Sequence, residues 1–208
     1  MEYVKVGDTD IRVSKLCVGC MSFGKAGTMH DWTLDEKQSE KLVNKALELG
    51  INFFDTANCY SLGTSEEYLG RAIRKYAKRE EVVLASKVYF NEGRLSKQAI
   101  RREIDGTLKR LGTDYLDLYI IHRFDYETPV EETMEALDSL VKDGKVRALG
   151  ASAMYGYQFY NMQMAAEKNG FTKFSAMENH YNLLYREDER ELIPICKQMN
   201  VMLMPYSP

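Results

Sequence analysis

Four side chains stand out by type and position. The stretch NFFDTANCY (52–60) places Asp55 and Tyr60 directly after an apolar run, Lys87 closes the apolar run EVVLASKV (81–88), and His122 closes DLYIIH (117–122). A phenol has a pKa of about 10, so it serves as a proton donor near neutral pH when a neighbouring cation favours the phenolate. Lys87 can supply that cation, Asp55 can hold the ammonium in place, and His122 can orient a substrate oxygen or help pass the proton. This set suits reduction of a carbonyl group, with the hydride coming from a bound cofactor because no side chain donates one. Taken singly, Asp55 could equally start a turn and Tyr60 pack beside it.

The elements that would position these residues repeat. Apolar, β-rich runs occur at 15–20, 51–57, 81–88, 117–122, 146–152, 174–181 and 201–207. They begin roughly one βα unit apart and are almost continuously apolar, as expected for parallel strands covered on both faces. Amphipathic stretches fill the gaps. Leu42, Val43, Ala46 and Leu47 define one helical face that ends at Gly50. A second helix is expected to start with Thr128 as N-cap, Pro129 at its first position and Glu131 completing a capping box, and to end before Gly144. A third runs from Ser96 to Gly112, and Pro194 marks a kink or a helix start. The segment 2–13 reads as a hairpin around GDTD.

Alternating strand and helix leaves the closed (β/α)8 barrel or the open doubly wound sheet. The first long strand leads into GCMSFG, not the G-x-G-x-x-G of a dinucleotide-binding turn. The polar residues fall at strand C-terminal ends, where barrel active sites lie. The expected fold is therefore a TIM barrel forming one domain over 1–208, preceded by the hairpin. Only about seven strands can be counted, so the sequence as given is expected to lack the last strand and its helix.

Composition excludes other classes. The chain has 208 residues, 45% hydrophobic and 28% charged, with a net charge of −3. Its basic residues form no cluster that would suit nucleic acid or a membrane surface, and no apolar run approaches membrane-spanning length. The N-terminal segment has no leader-like apolar core, and the four cysteines suit a cytoplasmic chain more than a disulfide framework. Cys17 and Cys20 spell CxxC, but strand residues three apart point to opposite faces, so neither a metal site nor a redox pair is expected.

The combined motifs resemble the aldo-keto reductase family, nearest in wording to aryl-alcohol-dehydrogenase-like and potassium-channel β-subunit-like members. GINFFDTANCYSLGTSEEYLG, LASKV, RLGTDYLDLYIIHRFD, GKVRALGAS, ENHYNLLYRE and MPYSP carry the resemblance along essentially the whole chain. It implies NADPH-dependent reduction of a small aldehyde or ketone, with Asp55, Tyr60, Lys87 and His122 catalytic and Tyr60 the general acid. It also implies cofactor contacts from Met21, Asp55, Ser152, Glu178, Tyr206 and Ser207, and a substrate pocket including Trp32, Tyr89 and Arg123, with no metal. Tyr206 matches the aromatic residue under the nicotinamide ring.

Two positions depart from the family pattern. Ala153 stands where an Asn often binds the nicotinamide carboxamide, and Glu178 stands where a Gln does so. An ionised carboxylate accepts hydrogen bonds but cannot donate, so half of the amide pairing would be lost unless Glu178 is protonated. The family's main phosphate-binding segment falls beyond Pro208, so that part of the NADPH site is expected to be missing. Open barrel edges would favour self-association. The resemblance leaves a second function open: a truncated or non-catalytic chain that senses cofactor or binds a partner, as channel β-subunits do.

Overall fold

The computed structural model describes residues 1–208. An antiparallel hairpin of β1 (Tyr3–Lys5) and β2 (Arg12–Ser14) precedes seven parallel strands. These are β3 (Cys17–Gly19), β4 (Phe53–Asp55), β5 (Val83–Val88), β6 (Leu116–Ile121), β7 (Val146–Ser152), β8 (Phe174–Glu178) and β9 (Met202–Leu203), hydrogen-bonded in chain order. Between them lie α1 (Glu36–Glu48), α2 (Thr64–Tyr76), α3 (Lys97–Leu111), α4 (Val130–Lys142), α5 (Gly156–Asn169) and α6 (Leu192–Gln198). Successive helices pack on one another along the outside of the sheet.

The sheet is strongly curled. Four strands at about 4.8 Å spacing would separate β4 from β8 by roughly 19 Å in a flat sheet. Yet Asp55 at the end of β4 and Glu178 at the end of β8 both reach the same Lys87 ammonium. The result is a barrel-like half-shell: β3 and β9 are the two edges and do not pair with each other.

Strand periodicity explains the two cores. Inward residues recur at every second position. Phe53, Val83, Ala85, Leu118, Ile120, Ala148 and Ala176 form the inner cluster, which the hairpin residues Val6, Ile11 and Val13 complete. The alternate positions, among them Phe54, Leu84, Tyr119, Leu149 and Met177, face the helices in a larger cluster. Continuing the inward stripe to the strand ends gives Asp55, Lys87, His122, Ser152 and Glu178. At the opposite end of the strands, Asp117 accepts from Arg79 Nη2 and Arg147 Nη1, each at 2.7 Å, and from the Leu84 amide at 2.9 Å.

Several local expectations hold. Ser96 caps α3 by accepting from the Ala99 amide, Gly112 ends it in the left-handed conformation, and Pro194 lies in the first turn of α6. Cys17 is exposed and Cys20 buried, in keeping with their expected opposite directions. Others are corrected. Thr128 does not cap α4: its hydroxyl donates to Asp125 Oδ2 at 2.7 Å, and Pro129 occupies the cap position without a side-chain bond. The buried Asp125 collects backbone donors from Leu95 and Glu127 as well, and so draws the Thr128 hydroxyl away from the helix. Leu42 points to solvent while Val43 and Ala46 are buried, so the apolar stripe of α1 is narrower than its sequence suggests.

Candidate active site

Lys87 is the hub of the site. Its position on β5 turns it inward at the last polar layer, with no solvent exposure. Nζ donates to Asp55 Oδ2 at 2.5 Å, to the Thr56 carbonyl at 3.0 Å and to Tyr60 Oη at 3.3 Å. Glu178 Oε2 lies 3.4 Å away on the far side. Burial opposes the lysine's charge, but the carboxylates of Asp55 and Glu178 more than reverse that and hold the ammonium well above its ordinary pKa.

Tyr60 opens a short 3₁₀ turn (Tyr60–Gly63) that leads into α2. The next two residues, Ser61 and Leu62, have φ of 48° and 54°, a conformation that costs a non-glycine residue about 1–2 kcal/mol. This strained turn is tied down from three sides. Thr56 Oγ1 and Ser65 Oγ are 2.8 Å apart, Ser65 Oγ donates to the Cys20 carbonyl at 2.7 Å, and buried Glu66 receives Ser86 Oγ at 2.6 Å and Arg110 Nε at 2.5 Å. The tethers join the ends of β3 and β4 to the start of α2, which fixes the phenol against Lys87.

The phenol's acidity differs from the expectation. Burial pushes the Tyr60 pKa up, Lys87 pulls against it, and the net direction is upward. Tyr60 therefore stays protonated at rest. Its oxygen accepts from Lys87, and its own proton has no partner within the chain.

His122 meets Tyr60 edge-on, with ring centroids 5.7 Å apart at 81°. Burial, followed by the charges of Lys87 and Arg123, lowers its pKa to about 3, so the ring is neutral across the ordinary pH range. Cys59 Sγ lies 3.9 Å from His122 Nδ1, and burial raises that thiol to about 11, which keeps it protonated and able to donate.

A cavity of about 840 Å³ opens beside these groups, lined by Asp55, Tyr60, His122, Arg123, Ser152 and Glu178, and also by Met21, Tyr206 and Ser207. Phe90, two positions beyond Val88 at the end of β5, lines it too. Ser152 and Glu178 are register partners on β7 and β8, so their side chains leave the sheet together. Tyr206 stacks on His180, with centroids 5.1 Å apart at 6°, and remains partly exposed. Glu178 Oε2 is buried without a hydrogen-bond partner. Tyr206 offers an aromatic face and Ser152 and Glu178 offer polar atoms to the same cavity, a set that would suit a nicotinamide ring and its carboxamide, the donor half of the pairing depending on the proton of Glu178.

Not every candidate lines that space. Tyr89 faces a second cavity of about 430 Å³, which Arg123 and Tyr206 share with His180, Tyr185 and Asn179. Trp32 lines neither: it stacks on His30, with centroids 4.4 Å apart at 15°. Sequence reasoning missed the contact between Glu178 and Lys87, because only the curl of the sheet brings β8 to β5. It also missed Ser14, Leu16 and Cys17, whose place along the cavity follows from β3 being an edge.

The curled parallel sheet thus gathers Asp55, Tyr60, Lys87 and His122 at its strand ends. The sequence profile of the Aldo/keto reductase family matches residues 15–208. The chain is 43% identical to a Schizosaccharomyces pombe protein named among the aryl-alcohol dehydrogenases, covering 99% of this chain and 67% of that protein. It is 41% identical to the versiconal hemiacetal acetate reductase of Aspergillus parasiticus, over 100% of the chain and 67% of the relative. It is 42% identical to an aldo-keto reductase of Alternaria alternata, over 99% of the chain and 64% of the relative. The chain belongs to the aldo/keto reductase family and spans about two thirds of the length of these relatives.

Proposed function

We propose that this chain carries the reaction centre of an NADPH-dependent oxidoreductase that reduces a small aldehyde or ketone to an alcohol, with Tyr60 as general acid. The observation that carries this reading is the hydrogen bond from Lys87 Nζ to Tyr60 Oη at 3.3 Å, with Lys87 itself anchored by Asp55. It leaves the phenolic proton free beside a cavity and a cation in place for the phenolate that remains after transfer. Ser152, Glu178 and Tyr206 would hold the nicotinamide end, and Met21 and Ser207 lie along the same cavity. The bound cofactor would supply the hydride.

The remaining steps belong to the chain's own residues. The oxygen of a carbonyl undergoing reduction would become a far stronger base than a phenolate, so a Tyr60 with a raised pKa would still give up its proton to it. His122 is neutral and is not the acid. A Cys59 thiol donating to Nδ1, 3.9 Å away, would leave the ring proton on Nε2, where it would hold the carbonyl oxygen in line with Tyr60. Arg123, at the junction of the two cavities, and Tyr89 and Phe90 are the candidates for contact with the rest of the substrate. The reductase and dehydrogenase names of the relatives support the same chemistry. A cytoplasmic location belongs to this reading, supported by the four unpaired cysteines.

The test is NADPH consumption with a panel of aryl and alkyl aldehydes and ketones. Tyr60→Phe should lower turnover by about 10²–10⁴-fold, the usual contribution of a general acid. Its NADPH affinity should stay near the parent value, since the hydroxyl and not the ring does the work. A variant that keeps most of the parent's kcat would remove Tyr60 from the role.

A further inference from the structure

The Lys87 ammonium has two carboxyl groups around it and only one of them is close. Asp55 Oδ2 is at 2.5 Å, and Glu178 Oε2, in a side chain just 9% exposed, is at 3.4 Å. Asp55 Oδ1 and Glu178 Oε2 are both buried and lack hydrogen-bond partners. The titratable groups facing Glu178 are Lys87 from β5, Asp55 from β4, Tyr60 from the turn before α2, Cys17 from β3 and Tyr206 from the segment after β9. Only Lys87 among them is a cation; Arg123 lines the same cavity but makes no ion pair with Glu178, and His122 on β6 is neutral. Two ionised carboxylates would leave one uncompensated negative charge in a buried site, and such sites relieve it by taking up a proton. The nearer carboxylate keeps the ammonium, so the proton belongs on the farther one.

We propose that Glu178 is a positioning residue of the reaction centre that carries a proton in the working state, so that Asp55 alone neutralises Lys87 and the Glu178 carboxyl donates a hydrogen bond at the nicotinamide end of the cavity. The inference rests on the reductase reading. A protonated carboxyl has one donor and one acceptor, the same complement that a side-chain amide would present to a carboxamide. Loss of that proton converts the donor to an acceptor and adds negative charge beside Tyr60, where it opposes formation of the phenolate. Cofactor affinity and turnover should therefore both fall as Glu178 ionises. Burial, then the charge of Asp55, push its pKa up, with Lys87 pulling back, to about 7.

Carbon-13 labelling of glutamate side-chain carboxyls in the full chain, followed by NMR titration, tests this without any turnover. One glutamate resonance should titrate near neutral pH and be absent in Glu178→Gln. In Asp55→Asn the same resonance should move to more acidic pH, because Glu178 then has the ammonium to itself; this second variant assigns the signal even if Glu178→Gln fails to fold. NADPH titration followed by fluorescence should show wild-type affinity dropping about tenfold between about pH 6 and about pH 8, as the protonated fraction falls, with a flat profile in Glu178→Gln. A Glu178 resonance that titrates in the ordinary carboxylate range, or equal pH dependence of NADPH affinity in wild type and Glu178→Gln, overturns the proposal. A neutral-titrating Glu178 in a protein that binds NADPH but reduces no carbonyl compound would count instead against the reductase reading.

Discussion

The Asp55 carboxylate and the Lys87 ammonium meet at 2.5 Å at the ends of adjacent parallel strands, the lysine with no exposure at all. Neither charge can be stranded cheaply there. Removing one partner of a buried pair typically costs about 3–5 kcal/mol, because the other charge stays behind uncompensated.

Lys87→Met should carry that penalty and abolish turnover. It leaves Asp55 and Glu178 facing each other without a cation, and each takes up a proton more readily. The loss of stability should thus be greatest at high pH and shrink on acidification, as both carboxyls become neutral. Urea unfolding at a series of pH values measures it. A pH-independent deficit would mean that the ammonium is not the counter-charge of this cluster.

His122 gives a dependence of the same sign. Its folded pKa of about 3 lies below the ordinary histidine value of about 6.5, so between these limits the unfolded chain binds the proton and the folded chain does not. Stability from this residue is complete above about pH 6.5 and is lost as pH falls toward 3. Glu178 acts the other way, its contribution being present at low pH and lost as pH rises through about 7. The two slopes offset each other in the wild type. Each should emerge in the difference from a variant: His122→Gln should gain relative to wild type as pH falls, and Glu178→Gln should gain as pH rises. Thermal melting curves that run parallel for all three proteins would refute both assignments.

Much of this arrangement was legible in the sequence, and for a physical reason. Strand-ending polar residues after apolar runs mark where an inward stripe leaves the core, which places Asp55, Lys87 and His122 without knowledge of the fold's details. What the sequence did not carry was competition between neighbours. Thr128 has the residue type of a cap, but Asp125 three positions earlier captures its hydroxyl. A lysine beside a phenol suggested a depressed pKa, but burial of the phenol outweighs the cation. Trp32 had the type of a pocket residue, and its ring found His30 instead. Glu178 read as a substituted amide, and only the curl of the sheet shows that it is also the second carboxylate on Lys87.

Ala153 follows β7 with φ of 47°, in the left-handed region that asparagine tolerates better than alanine. Ala153→Asn should therefore stabilise the fold by up to about 1 kcal/mol, a fraction of the usual cost of that conformation. The residue lines the main cavity, so the new amide should also tighten NADPH binding. Chemical denaturation and fluorescence titration read the two effects separately. A stabilised variant with unchanged affinity would separate the backbone strain from any contact with the cofactor.

The last prediction concerns the edges of the sheet. β3 and β9 each carry one unpaired side, and apolar residues stand at the gap between them: Leu16 is 59% exposed, and Met202, Leu203 and Met204 line the same cavity. Unpaired parallel edges with apolar flanks are templates for strand pairing with another chain. Residues 1–208 expressed by themselves should consequently associate in a concentration-dependent way and melt with poor cooperativity. Leu16→Lys places a charge at the rim of the gap, on a side chain that contributes little to the core, and should reduce association while leaving helix and strand content intact. Light scattering over a range of protein concentrations, with circular dichroism on the same samples, makes the measurement. A wild-type chain that stays monomeric at every concentration, or an association that Leu16→Lys leaves untouched, would show that these edges are not where the copies meet.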